Sequence, residues 1–153
     1  MLLHVKGDLL QATQDIIAHQ VNCQGAMRSG VARHLREMYP QVYTSYMAHC
    51  SKFNNPSDML GNVYLVPIGK RRYVANMYTQ LKYGYDGKQY TDYSAIEEAF
   101  TYLNDFCKRH NLTLAMPYKV GSVRGGANWD IVYDMMDRIF KDTEVTLYEL
   151  DLG

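Results

Sequence analysis

Two stretches of the chain set glycines and small polar residues between a strand-like run and a helix-like run. The first covers residues 23–30 (CQGAMRSG), opened by Asn22 and followed by Val31. The second covers residues 119–126 (KVGSVRGG), followed by Asn128 and Trp129. Such a turn aims backbone N–H groups outward, and the helix behind it adds the positive end of its dipole. Glycine lets an anion come close to the backbone. The chemistry this favours is the binding of two linked phosphates by backbone donors. Neither stretch has the G-K-[ST] ending of a P-loop or the G-x-G-x-x-G spacing of a dinucleotide fingerprint. Singly, each also reads as an ordinary tight connection. The repetition argues for a phosphate site, because ligands of open α/β sheets bind beyond the carboxyl ends of the strands.

Other residues near these turns could carry chemistry. His19 lies in a strand three residues before Asn22, and its near-neutral titration suits proton transfer. Strand alternation opposes that role, since residues three apart point to opposite faces, and a hydrogen-bonded structural histidine is the competing reading. Asn22, at a strand end, could cap its turn through its side chain. Cys23 has no evident base beside it, so it reads as packing. Arg124 would contact phosphate, cover the ligand or stay solvated. Tyr78, Tyr83, Tyr85 and Tyr90 crowd a loop expected over residues 79–91, with Asp86 its nearest acid. Fourteen tyrosines make some clustering expected, so packing competes with stacking there. Trp129, Met135 and Met136 read as core.

The elements that must position these residues alternate between strand and helix, which argues for α/β architecture. Strands are expected at Leu2–Lys6, 15–22, 61–68, 72–78, 112–118 and 144–150. Helical spacing begins at Val31 and stops before Pro40, returns with Val42 and Tyr46, and runs over Tyr93–His110. A last helix follows Asn128 as N-cap, over residues 129–140. The expected core includes Ile16, Ile17, Val21, Val63, Leu65, Val74, Leu114, Met116, Val145 and Leu147. The 153 residues suit one domain. Sixteen basic and 16 acidic residues cancel, so nothing in the composition suggests a polyanion held by bulk charge. Three cysteines without a C-x-x-C pair argue against a disulfide framework or zinc knuckle. With no leader-like start and no apolar run of membrane length, the expected setting is the cytoplasm.

These residues together resemble the macrodomain family along nearly the whole chain. Gly7-Asp8-Leu9-Leu10 is similar to the family's G-D-[IL] after the first strand, and the resemblance implies that Asp8 accepts from the adenine amino group. His19-Gln20-Val21-Asn22 and residues 23–32 look like the second strand and first phosphate loop, with Asn22 facing the distal ribose. Met116-Pro117 and residues 121–129 look like the second phosphate loop, and Val145-Thr146-Leu147-Tyr148 like the final strand. The pattern is closest to the branch of terminal ADP-ribose glutamate hydrolases and bacterial or phage Appr-1-p processing proteins. Its H-x-x-N-C-x-G motif, at His19, Asn22, Cys23 and Gly25, resembles that of yeast-type ADP-ribose-1″-phosphate phosphatases. Two positions depart from the glutamate-linked hydrolases. Gln80 stands at their catalytic lysine, with Lys82 two residues on, and Gly125 stands at their loop Asp. Gln cannot form an adduct with the ribose, and Gly cannot exchange a proton.

The expected fold is a three-layer α/β/α sandwich with a mixed central sheet, one domain over residues 1–153. The resemblance implies an ADP-ribose site built from Asp8, Leu9, Asn22, Gly25, Ser29, Gly30, Val31, Gly121, Ser122, Val123, Arg124, Gly125 and Gly126. Asn22, His19 and Gln80 stand nearest the chemistry, and neither metal nor cofactor is implied. The implied activity is metal-independent hydrolysis of ADP-ribose-1″-phosphate or of ester-linked ADP-ribose. The alternative is a binding module or sponge without turnover. RNA binding is a weaker third reading, opposed by the neutral charge. Partners would be ADP-ribose or a derivative, free or on a protein or nucleic acid, with no membrane and a monomeric chain.

Overall fold

Short aliphatic runs bounded by glycine and polar turns form six strands in the computed structural model, which describes residues 1–150 except Arg28, Ser29, Tyr85, Gly87 and Arg124. The strands are β1 (Leu2–Lys6), β2 (Ile16–Asn22), β3 (Val63–Gly69), β4 (Arg72–Gln80), β5 (Leu114–Pro117) and β6 (Val145–Glu149). The helices are α1 (Gly30–Met38), α2 (Pro40–Cys50), α3 (Tyr93–His110) and α4 (Trp129–Ile139). Their ends follow local chemistry. Pro40 both ends α1 and opens α2, where its missing N–H costs nothing. Asp92 caps α3 by accepting from the Ala95 amide at 2.9 Å, and Asn128 caps α4 by accepting from the Asp130 amide at 2.9 Å.

The strands form one sheet in the order β1-β6-β5-β2-β4-β3. All neighbours run parallel except the β3–β4 hairpin, so the sheet is mixed as expected. Helices α3 and α4 cover one face, where Ile16 and Ala18 of β2 meet Ile96, Phe100, Leu103 and Met136. Helices α1 and α2 cover the other, where Ile17 and Val21 meet Leu35, Val42 and Tyr46. The central strand β2 is thus buried on both faces, which explains why consecutive residues Ile16, Ile17 and Ala18 are all apolar.

Two expectations need correction. Val63 and Leu65 are only half-buried, because β3 is an edge strand with one neighbour; Val66 is its buried residue. Thr79 and Gln80 belong to β4 and not to a loop. Asn22 of β2 pairs with Gln80, and Gln80 also bridges to Thr91, so the strand continues to its last buried residue.

Candidate functional site

A cavity of about 390 Å³ opens at the C-terminal ends of β2, β4 and β5. Residues 19–22 and Gln80 form its strand side, and Ala26, Met27 and residues 30–32 its first-loop side. Residues 117–121 with Val123 form its second-loop side, and Tyr83 and Gly84 its rim. Among the described residues no carboxylate lines it, and Lys119 is its one permanent cation. The first turn of α1 reaches it at Gly30, Val31 and Ala32, whose amides have no partner inside their own helix. That arrangement accepts a dianion with modest side-chain charge.

Asn22 organises the first loop. Its Oδ1 accepts from the Gln24 amide at 2.9 Å and from the Tyr46 hydroxyl at 2.8 Å, and its Nδ2 donates to the Ala26 carbonyl at 2.8 Å. Tyr46 of α2 is fully buried, and its hydroxyl also receives the Ala26 amide at 3.1 Å. The capping role weighed for Asn22 is therefore built, while the residue still borders the cavity. The alternation argument against His19 fails on one detail. The β2–β4 register shifts between Val21 and Asn22 because β4 carries an extra residue, Thr79, and Asn22 closes β2 with its side chain on Tyr46 of α2, the side that His19 also faces. Asn22 reaches Tyr46 there, and His19 reaches Asn76, whose amide donates to the Val42 carbonyl at 3.5 Å.

His19 is not poised for proton transfer. Its Nε2 lies 2.6 Å from Asn76 Oδ1. Since the Asn76 amide donates to Val42, Oδ1 is the acceptor and the Nε2 proton points at it. Nδ1 is then a bare acceptor, buried without a partner among the described residues. Burial lowers the imidazole pKa to about 4, against a smaller opposing effect of the Asn76 bond. At neutral pH the ring is uncharged and can accept a hydrogen bond but hardly donates a proton.

The second loop is held by backbone and by one threonine. Thr91 Oγ1 donates to the Gly121 carbonyl at 2.7 Å and accepts from Gln20 Nε2 at 2.8 Å. The Gly125 carbonyl accepts from the amides of Tyr90 at 2.7 Å and Thr91 at 3.0 Å. A Cβ on Gly125 would overlap Thr91 Oγ1 and stand 2.5 Å from the Gly121 carbonyl and 2.8 Å from Gln20 Oε1. Gly125 is therefore a packing requirement, and the position has no room for an acid. Gln80 donates its amide to the Lys82 carbonyl at 2.9 Å and is 7% exposed.

Of the residues singled out by sequence, the structure brings His19, Asn22, Gly30, Val31, Gln80, Gly121 and Val123 around one cavity. Gly25, Ser122, Gly125 and Gly126 sit in the loops behind that lining. Asp8 and Leu9 lie apart from it: Asp8 caps a short 3₁₀ turn by accepting from the Leu10 amide at 2.9 Å, and Leu9 is buried core. Ser29 and Arg124, with Arg28 and Tyr85, lie outside the described residues. Asp86 is exposed, accepts from the Tyr90 hydroxyl at 2.7 Å and does not line the cavity. Cys23 is 3% exposed, and burial, with Cys50 adding to it, pushes its thiol up to about 12, so it is packing and no nucleophile. Gln20, Met27, Tyr118 and Lys119 line the site and were missed. Lys119 opens the second glycine stretch, so its position alone was the available signal. Among the described residues there is no group of three or more His, Cys, Asp or Glu that could hold a metal ion, and no helix long and apolar enough to cross a membrane.

A solved structure of the macrodomain of Mycobacterium tuberculosis DarG superposes with a TM-score of 0.82 at 23% identity, over 97% of each chain. The chain has the macrodomain fold. An ADP-ribose 1″-phosphate phosphatase of Meyerozyma guilliermondii is 39% identical over 69 residues, which are 42% of this chain and 39% of that protein. A DNA ADP-ribosyl glycohydrolase of Mycobacterium tuberculosis is 24% identical over 155 aligned positions, covering 97% of this chain and 42% of that protein. The chain spans about two fifths of the length of these curated relatives. No protein-family model matches it.

Proposed function

We propose that the chain binds ADP-ribose across this cavity and hydrolyses a group at its anomeric carbon, the substrate being ADP-ribose-1″-phosphate or ester-linked ADP-ribose. The observation that carries this reading is a cavity at the parallel strand ends, bordered by both glycine loops and a helix start, with no carboxylate among its described lining. The diphosphate would lie over the first turn of α1 and the second loop, with Lys119 as its cation. Asn22 and Gln80 would face the distal ribose, and His19 Nδ1 would accept from a hydroxyl or a water. Asp8 would reach the adenine only from outside the cavity lining. For the phosphate substrate, water attacks phosphorus, the bond from phosphorus to the 1″ oxygen breaks, and that oxygen takes a proton. ADP-ribose and inorganic phosphate result. With no carboxylate among the described lining residues to act as base, the rate would come from positioning. Three unpaired cysteines support a reducing, cytoplasmic setting, and we read the chain as monomeric.

The absence of an acid or lysine at the Gly125 and Gln80 positions favours the second reading, a binder without turnover. Incubation with ADP-ribose-1″-phosphate followed by a phosphate assay separates the two. Catalytic release of phosphate, lost in Asn22→Ala, is expected. Tight ADP-ribose binding with no release would leave the binder.

A further inference from the structure

The end of the molecule opposite the cavity gathers cations that lie far apart in sequence. Lys70, Arg71 and Arg72 surround the β3–β4 turn, and Lys108, Arg109 and His110 form the last turn of α3. Because α3 runs back along the sheet, its C-terminus returns to that hairpin. There Arg71 Nη2 donates to the His110 carbonyl at 3.4 Å. Lys108 is paired with Asp142 at 3.3 Å, and Arg72 donates to the Ala12 and Gln14 carbonyls. Among the described residues, Lys70, Arg71 and Arg109 are exposed and make no ion pair. Asp105, four residues before Arg109 on α3, and Asp142 and Glu144 on the chain leading into β6 are the exposed acids at this end.

A column of rings runs down the same end of α3 at four-residue spacing. Tyr102 stacks on Phe106 with centroids 6.3 Å apart and planes 13° apart, and Phe106 meets His110 at 4.5 Å. Tyr73 braces Phe106 edge-on at 6.2 Å. Tyr102 is 47% exposed. Cations at a helix C-terminus complement its dipole, which accounts for residues 108–110 alone. It accounts neither for Lys70 and Arg71 on the adjoining hairpin nor for the ring column.

We propose that this end is a docking surface for single-stranded nucleic acid, with Lys70, Arg71 and Arg109 on phosphates and the Tyr102 column stacking bases. Cations beside an exposed aromatic ring, here Tyr102 backed by Phe106, are the combination such strands require, since phosphates need charge and every base offers a π-face. An acidic peptide would use the charges and leave the rings idle. The nine residues of β4 put the surface roughly 30 Å from the cavity, so it anchors a strand and does not present a reacting nucleotide. The proposal stands whether or not the cavity turns substrate over.

Fluorescence anisotropy with a labelled oligothymidylate of about a dozen nucleotides tests it. Binding is expected at about 50 mM salt, weakening about 20-fold by about 200 mM, as three phosphate contacts require. The Lys70→Gln/Arg71→Asn/Arg109→Gln variant should lose most of that salt dependence. Tyr102→Ala should weaken binding about fivefold or more with the salt dependence kept. Both variants should melt as the wild type does and bind ADP-ribose unchanged. No binding at low salt, displacement of the oligonucleotide by ADP-ribose, or equal binding of an acidic peptide with Tyr102→Ala harmless would each overturn the proposal.

Discussion

The first glycine loop is held mainly by the side chains of Asn22 and Tyr46, and the second by backbone together with the hydroxyl of Thr91. At the end of β2, one asparagine and one buried tyrosine collect the amides and carbonyl of residues 24–26. Beyond β5, the carbonyls of Gly121 and Gly125 are taken by Thr91 and by two amides of the chain leading into α3. The difference decides what each loop can give to chemistry. Asn22 works as a cap and still borders the cavity. Gly125 borders nothing but protein and cannot be exchanged for an acid without displacing Thr91 or Gly121.

The most damaging test of this contrast is Gly125→Asp. A side chain and a charge forced against Thr91 and the Gly121 carbonyl should cost roughly 4 kcal/mol of stability in urea denaturation and abolish ADP-ribose binding. A stable variant with faster phosphate release would break the comparison.

Acid comes next, and its main target is His19, with His49 of α2, held below the ordinary histidine range by burial, acting in the same direction. The unfolded chain takes up a proton on His19 below pH 6.5, while the folded chain refuses it until about pH 4. Stability should therefore be unaffected above pH 6.5 and fall as pH drops through that window, by roughly 3 kcal/mol at its end. Urea midpoints of His19→Gln, compared with wild type across that range, should lack this component.

Asn22→Ala should cost about 2 kcal/mol and weaken ADP-ribose binding more than about tenfold, since it strands the Gln24 amide and the Ala26 carbonyl, while the Tyr46 hydroxyl keeps its bond to the carbonyl of residue 22. Calorimetry and urea denaturation measure both. Thr91→Val should be milder, about 1 kcal/mol, because the backbone bonds to Gly125 survive it. Equal losses in these two variants would erase the distinction between the loops.

Much of this was legible in sequence because it rests on local chemistry. The glycine stretches, the Asn128 cap, the Pro40 boundary and the packing role of Cys23 follow from residue type and neighbours. What was not legible depends on contacts distant in sequence. The extra residue Thr79 in β4 and the bond from Tyr46 at the end of β2 put His19 and Asn22 on one side, which could not be read from alternation. The crowding of Gly125 needs Gln20 and Thr91, which the fold alone brings to it. The half-burial of Val63 and Leu65 follows from the edge position of β3, which strand order decides. Net neutrality concealed a cationic end assembled from residues 70–72 and 108–110.

Isothermal titration with ADP-ribose, on the wild type and on Gly30→Glu, tests the central claim most directly. Gly30 opens α1 beside the cavity with φ +62 and open space around it, so the glutamate would place a negative charge at the helix start, and any strain at that φ would register as a lowered melting temperature. The account predicts saturable one-to-one binding to the wild type and its loss in a variant that still folds. No heat at millimolar ADP-ribose, or unchanged affinity in Gly30→Glu, would contradict it.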